Sequence, residues 1–464
     1  MHVVVVGGGI AGLAAAHHLL GTPGVEVTLL EADDRLGGKI RTEPFAGLAL
    51  DTGPDAFLAR RPEAVALCRE LGLDEGLVAP ATTAASLWVG RRLRPLPSGT
   101  LLGVPTDVAA LARSRVLSTR GLARAAVEPL LPGHPLGADD AAVGTIVRRR
   151  FGREVTERLV DPLVGGINAG ITTDLSVDAV APQIAAAARR HRSLTHGARE
   201  VLGAAAGPGA PLFLTLPGGL GRLVDALAAR LATAGATVRT ATPVEALEPA
   251  PGDGWLVLAG DEEVRADAVV VAVPAFVAAP LLGPLSPPAA AELAAMEHAS
   301  VALVAMAWPA GHGPRIPDGS GFLVPRPEGR LMTACSWASN KWRHLDRAGQ
   351  VVVRLSAGRM GDDRAAAIDD AELVDRLRIE LGTVLGGSVA PDEVHVARWP
   401  RGFPQYRPGH LTRMAGAVAG FPAGLALAGA ALGGVGVPAC IGSGEAAAAS
   451  VLAELAGRPR RSTL

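Results

Sequence analysis

Lysine is almost absent from this 464-residue chain, occurring only at Lys39 and Lys341, so nearly all of its 44 basic side chains are arginine. Asparagine is confined to Asn168 and Asn340, the one tyrosine is Tyr406, and aromatic residues make up 3%. Cysteine is equally sparse: Cys68, Cys335 and Cys440 form no CxxC pair. Such spacing excludes a disulfide framework, a redox dithiol and a metal cluster, and it suits a reducing compartment, so the cytosol is expected. Charge of one sign is also lacking. A formal net charge of −1 gives no global electrostatic reason for a nucleic-acid partner. No G-x-S-x-G, H-E-x-x-H or P-loop occurs, which leaves hydrolase and NTPase readings without support. No basic n-region precedes the valine run that begins at Val3, so a secretory signal is not expected. The longest uncharged stretch, Met414 to Gly444, could span a bilayer by count alone. Its glycines, with Pro422 and Pro438, instead divide it into a buried strand, a turn and a helix start.

What is present begins with four valines, Val3 to Val6, followed by GGGIAGLAAAHHLL. A β-branched run, glycines, and then alanine and leucine at helical spacing read as strand, tight turn and helix. The glycines fit G-x-G-x-x-G. Gly7 permits the turn, Gly9 lets backbone approach a pyrophosphate, and Gly12 allows the helix to pack on the strand, with Ile10 and Ala11 at the helix N-terminus. A second strand, Val25 to Leu30, ends in Glu31, where an acid can bond a ribose 2′-hydroxyl. An adenine dinucleotide with a free 2′-hydroxyl is expected, FAD or NAD but not NADP. Replacing Glu31 is expected to leave the glycine turn intact.

With 49% hydrophobic residues the chain can bury two or three cores. Residues 1–85 begin a doubly wound α/β domain, which resumes over 208–283 and returns at 397–464. Residues 86–207, with VAALARSRVLSTRGLARAAV and APQIAAAARRHRSL, read as a helical insertion. Its arginine-bearing helices suit either a solvated face or contact with an anionic membrane surface. Residues 284–396, with SVALVAMAW, QVVVRLSAG and an amphipathic stretch from Ala371 to Leu385, suit a substrate-covering sheet. The terminal RPRR, Arg458 to Arg461, reads as a solvated tail.

After Glu31 and Ala32 comes DDRLGGKIRT, whose Gly37 and Gly38 lie between Arg35 and Lys39; later LALDTGPDAF places Gly53 and Pro54 in a tight turn before Asp55 and Ala56. Here the chain resembles the flavin-containing amine oxidase and protoporphyrinogen oxidase superfamily, which carries the dinucleotide turn, the acid, an R-x-G-G-[RKW] loop and a D-x-G-P turn in this order. The motifs ERLVDPLVGGINAGITTDLS, SNKW, VRLSAGRMGDD, RWPRGFPQYRPGHLTRM and LAGAALGGVGVPACIGSG narrow the resemblance. Over nearly the whole chain it is similar to the heme-biosynthetic porphyrinogen oxidases, most of all the Gram-positive coproporphyrinogen III oxidases.

The resemblance implies a Rossmann-like FAD-binding domain, a mixed-sheet substrate domain and an inserted helical domain, α/β locally and α+β overall. FAD would be non-covalent, held by Gly7, Gly9, Ile10, Ala11, Gly12, Glu31, Ala32, Lys39, Gly53, Pro54, Asp55, Ala56, Val244, Trp399, Ala430, Val435, Gly436 and Val437, with Val244 meeting the adenine through its main chain. Arg61, Arg94, Asn168 and Lys341 are the expected substrate contacts. The implied reaction takes hydride from a porphyrinogen at flavin N5 three times, molecular oxygen restoring the flavin with formation of hydrogen peroxide. No catalytic side chain is assigned. Leu101 stands near where mitochondrial-type relatives carry an arginine, which favours coproporphyrinogen III over protoporphyrinogen IX. A ferrochelatase-type enzyme would act downstream, in the cytoplasm or at the inner face of its membrane. His410 reads as structural and Cys440 as a small core residue. The residues alone leave an NAD-dependent dehydrogenase or a non-enzymatic flavoprotein open, and an amine oxidase remains an alternative within the superfamily. One fingerprint and no CxxC favour an oxidase.

Overall fold

The computed structural model describes residues 1–133, 135–205, 211–346 and 349–457. The Arg458 to Arg461 tail lies outside the described residues.

The valine run forms the strand His2–Val6 at the centre of a five-stranded parallel sheet. Glu26–Leu30 and then Thr237–Arg239 lie on one side of it, Ala268–Val271 and then Leu425–Leu427 on the other. Side chains alternate across a strand, so Val3 and Val5 face one layer while Val4 and Val6 face the other. The first layer holds the helices Ile10–Leu20, Gly221–Thr233 and Val437–Ala456, with Leu13, Leu227 and Val451 fully buried among them. The opposite layer is a three-stranded antiparallel sheet, Ala246–Pro249, Trp255–Ala259 and Glu262–Ala266, packed through Trp255 and Val257.

A second, seven-stranded sheet runs in the order Glu393–Pro404, His298–Trp308, Val351–Ala357, Met332–Ser336, Gly321–Leu323, Ala85–Val89 and Arg92–Pro95. The helix Asp370–Leu385 covers it through Leu373, Leu377 and Leu381. Two segments depart from the sequence reading. Residues 86–95, placed in the insertion, belong to the last two strands of this sheet, and the strand ending at Pro404 runs past residue 396. Both carry many arginines and prolines, which masks a strand pattern.

From Val108 to Ala205 the described chain runs through a series of helices. Asp107 and Ser118 cap Val108–Ser114 and Thr119–Ala126, with Arg115 in the left-handed region between them (φ 55°). Glu128 is fully buried, yet it accepts from Arg150, from Ser193 and from the amides of Leu194 and Thr195, so its charge is satisfied at the start of the helix Leu194–Ala205.

The apolar stretch after Met414 divides as the glycines indicate: a helix ending at Ala419, the strand Leu425–Leu427 and the helix Val437–Ala456. This last helix is long and apolar enough to cross a membrane, but its Ile441, Ala448 and Val451 are fully buried against the first helix. A Cβ at Gly444 would lie 2.1 Å from the Ala11 carbonyl oxygen, so glycine sets the separation of the two helices. Gly444→Val is expected to destabilise the protein by about 1–3 kcal/mol through overpacking. Urea denaturation checks this, and an unchanged midpoint would contradict the packing argument.

Candidate active site

The C-terminal ends of the parallel strands gather four segments: the glycine turn, the loop after Glu31, the DTGPD turn and the loop before the last helix. The three fingerprint glycines serve different ends. A Cβ on Gly7 would lie 2.7 Å from the Ala272 carbonyl oxygen, and one on Gly12 would lie 1.9 Å from the Gly7 oxygen, so both are set by protein packing. A Cβ on Gly9 would meet nothing within 4 Å. Gly9 therefore faces open space beside the N-terminus of Ile10–Leu20, where the amides of Ile10, Ala11 and Gly12 begin the helix without a side-chain cap.

Glu31 stands beside this opening. Its carboxylate accepts from the Gly8 amide at 2.5 Å and the Asp33 amide at 2.8 Å. Its removal therefore also loosens the turn, which corrects the expectation that the turn would be indifferent to it. Ala32 is exposed next to it. The segment carrying Val244 is tied to the same place by amides of Ala241 and Thr242 that donate to the Asp33 and Glu31 carbonyls, at 2.7 and 2.8 Å. Among the described residues the Val244 main chain makes no hydrogen bond, so its amide and carbonyl are available to a planar heterocycle.

The cations of the next loop divide their work. Arg35 donates to the carbonyls of Leu36, Ile40 and Gly38, holding its own loop in shape. The Lys39 side chain is open to water, yet surrounding protein lowers its pKa through burial, with Cys440 opposing. It lines a cleft wall.

The DTGPD turn is tied on every side. Asp51 accepts from the Thr42 hydroxyl at 2.5 Å and from the Leu220 amide at 3.0 Å, joining the turn to the start of Gly221–Thr233. The Thr52 carbonyl accepts from Trp399 Nε1 at 2.9 Å, and the Gly53 carbonyl from Arg354 at 2.7 Å. A Cβ on Gly53 would sit 2.0 Å from the Lys39 carbonyl oxygen, so only glycine fits between the two loops. Pro54 and Ala56 are half-buried on either side of Asp55. Asp55 bonds Lys341 Nζ at 3.0 Å and Trp342 Nε1 at 3.1 Å, and pairs with Arg354 at 3.1 Å. Burial alone would push its carboxyl up, but Lys341 and Arg354 together hold it well below the usual carboxylate range.

On the fourth side, the Tyr406 hydroxyl donates to the Ala430 carbonyl, and the Gly429 amide donates to Ser443 at 2.8 Å. Val435 is half-buried and Val437 buried, while Gly436, which precedes the last helix, is exposed, with only Pro438 near a Cβ placed there. That helix N-terminus faces the cleft as a second set of free amides. Cys440 is a neutral thiol, raised to about 11 by burial and hydrogen-bonded to the Gly434 carbonyl. His410 is buried, contacts the Leu432 carbonyl at 3.1 Å and lies 4.6 Å from the Tyr406 ring. Burial lowers its pKa, so it is a neutral structural histidine.

The four expected substrate contacts lie in separate surroundings, and three of them have protein partners. Lys341 is engaged by Asp55, which corrects its reading as a free cation for substrate. Arg61 pairs with Glu63 on its own helix start. Arg94 lies on the edge strand Arg92–Pro95, with a buried Nε that has no partner. Asn168 is buried, its side chain donating to the Val164 carbonyl at 2.8 Å and its carbonyl accepting from Gln405 at 3.0 Å. Arg354 and Trp342 were not identified from sequence. A lone arginine within the apolar run VVVRLSA was the available signal for the first, since a charge on a core strand needs a partner.

The sequence profile of the flavin containing amine oxidoreductase family matches residues 10–452. The chain is 35% identical to a coproporphyrinogen III oxidase of Bacillus subtilis, over 98% of each chain. It is 38% identical to one of Mycobacterium bovis, over 97% of each. A crystal structure of a candidate protoporphyrinogen oxidase from Exiguobacterium sp. 255-15 superposes with a TM-score of 0.88 at 31% identity, covering 98% of this chain and 99% of that one.

Burial raises the Asp51 carboxyl to about 6, with the Thr42 hydroxyl, Arg354 and the Leu220 amide opposing. The folded chain therefore holds this proton more tightly than the unfolded chain, and the stability it contributes is lost as pH rises through about 6. Asp51→Asn should remove that loss. Its stability relative to the parent should grow by up to about 3 kcal/mol between acid and neutral pH. Parallel pH profiles of urea denaturation would rule this out. Glu31→Ala should lose bound dinucleotide more readily, by about 1.5–3 kcal/mol for one charge-assisted bond. Undiminished retention on dilution would refute the role.

Proposed function

Because the chain belongs to the flavin containing amine oxidoreductase family, we propose that it is an FAD-dependent oxidase converting coproporphyrinogen III to coproporphyrin III in heme biosynthesis. The observation that carries this reading is full-length similarity to coproporphyrinogen III oxidases at 35–38% identity, joined to a cleft whose walls suit a dinucleotide.

The fit of FAD rests on the open space at Gly9 and Gly436 and on the unpaired Val244 main chain. In this reading Gly7, Gly9, Ile10, Ala11 and Gly12 receive the pyrophosphate, Glu31 and Ala32 the ribose, and Val244 the adenine. Lys39, Gly53, Pro54, Asp55, Ala56 and Trp399 line the flavin. Ala430 and Val435 to Val437 face its pyrimidine end, where the helix N-terminus favours negative charge. Bound FAD supplies the two-electron acceptor that no side chain offers.

Three rounds of oxidation, each consuming one molecule of oxygen and giving one of hydrogen peroxide, remove the six electrons and six protons that separate porphyrinogen from porphyrin. The chain's own contribution is position. The Asp55 network fixes the turn beside the flavin, Cys440 remains a protonated thiol, and His410 is occupied by the Leu432 carbonyl. On the same reading the product passes to a ferrochelatase-type enzyme in the cytoplasm. Exposed Val127 and Leu130, at the end of the arginine-bearing helix Thr119–Ala126, support contact of the insertion with the inner face of the membrane.

Coproporphyrinogen III carries four propionates and protoporphyrinogen IX two. Side-by-side aerobic assays followed by porphyrin fluorescence should give the higher kcat/KM for coproporphyrinogen III. An equal or greater value for protoporphyrinogen IX would reassign the substrate. Turnover of neither, with consumption of a polyamine, would indicate an amine oxidase.

A further inference from the structure

Beyond the cleft wall, the segment Ile167 to Gly170 joins the insertion to the rest of the protein. The Asn168 carbonyl accepts from Gln405 at 3.0 Å, and Gln405 precedes Tyr406, which bonds Ala430 in the loop before the last helix. Two arginines flank this segment. Arg326 donates to the Gly170 carbonyl at 2.8 Å, and the amide of Met360, next to Arg359, donates to the Ala169 carbonyl at 2.7 Å. Ile167, in the same segment, is 56% exposed.

The charges here do not balance. Asp161 Oδ1 accepts from the amide and hydroxyl of Thr172, at 3.2 and 3.1 Å, and its Oδ2 faces Arg326 Nε at 3.2 Å. Asp362 is held in a fork by Arg364, at 2.8 and 2.7 Å. The Arg359 side chain is only 12% exposed and makes no hydrogen bond among the described residues. Its nearest carboxylate, Asp362, lies 3.9 Å away, and its Nε is shut off from water without a partner. Three guanidiniums thus face two carboxylates that are already engaged. Burial and the neighbouring Arg326 lower the Arg359 pKa to about 10, which reflects the cost of this arrangement. Only Nε is enclosed; the two terminal nitrogens reach the surface with no protein acceptor among the described residues, and the group that matches the planar fork they present is a carboxylate.

We propose that Arg359, with Arg326 beside it, binds one propionate carboxylate of the substrate, whose ring edge rests on Ile167. This rests on the porphyrinogen reading above and adds to it a residue that selects for the carboxylated edge. Arg359 acts by positioning. It takes no part in electron transfer.

The test uses the FAD-loaded full-length protein and Arg359→Gln. KM for coproporphyrinogen III should rise at least tenfold while kcat changes less than threefold, and flavin content and Tm should match the parent. Arg359→Lys keeps the charge without the fork and should recover part of the loss. Binding of coproporphyrin III, followed by its fluorescence in titrations, should weaken by the same factor, and this reads the subsite even if the parent turns over no porphyrinogen. Failure of the parent to oxidise either porphyrinogen would therefore count against the reading above, separately from the subsite. Unchanged KM and unchanged porphyrin affinity in Arg359→Gln would overturn the inference. If the glutamine variant does not fold, the lysine variant decides: affinity equal to the parent's overturns it, and affinity reduced at least threefold supports it.

Discussion

The site depends on one carboxylate held by two cations. Asp55 lies between Lys341 and Arg354, with Trp342 as a third donor, and these partners come from the seven-stranded sheet and the short helix beside it. Ion pairs withdrawn from water contribute little unless their remaining donors and acceptors are satisfied. Here they are, since Arg354 also serves the Gly53 carbonyl and Trp399 serves Thr52. The turn is thereby fixed against the Lys39 loop closely enough to exclude a Cβ at Gly53. The cleft wall is fixed because the seven-stranded sheet on one side and the start of the helix Gly221–Thr233 on the other hold the same five residues.

Much of the nucleotide-binding half is legible from local sequence, because its determinants are local. A run of valines has few alternatives to a buried strand, and glycines at set intervals after it have few alternatives to a turn under a helix. The three glycines cannot be told apart without coordinates, since only the neighbours at Ala272 and at the Gly7 carbonyl show that Gly9 alone opens outward. Lys341 marks the limit of such reading. Its partner lies 286 residues away, and nothing in SNKW distinguishes a cation waiting for substrate from one already paired. The edge strand Arg92–Pro95 escaped for a different reason, being short and rich in arginine and proline.

The near-absence of lysine also has a physical meaning. Arginine's planar fork serves several acceptors at once, as in Arg35 with three carbonyls of its own loop and Arg364 with both oxygens of Asp362. Arginine supplies the cation in most of the ion pairs among the described residues. The two lysines stand instead on either side of the DTGPD turn: Lys341, at the end of the short helix Ala338–Lys341, pairs with Asp55, and Lys39, in the neighbouring loop, lines the cleft.

The contact between Gly444 and Ala11 bears on the order in which the protein is made. The first helix and the glycine turn leave the ribosome early, but the strand Leu425–Leu427 and the helix that completes the layer come more than 400 residues later. The nucleotide-binding domain therefore cannot close until those segments have emerged, and one face of its valine-rich strands stays incompletely covered until then. The insertion is contiguous in sequence and rich in local contacts, so it can fold on the way. The order of the segments along the chain thus leaves the cofactor cleft to close after the insertion has emerged.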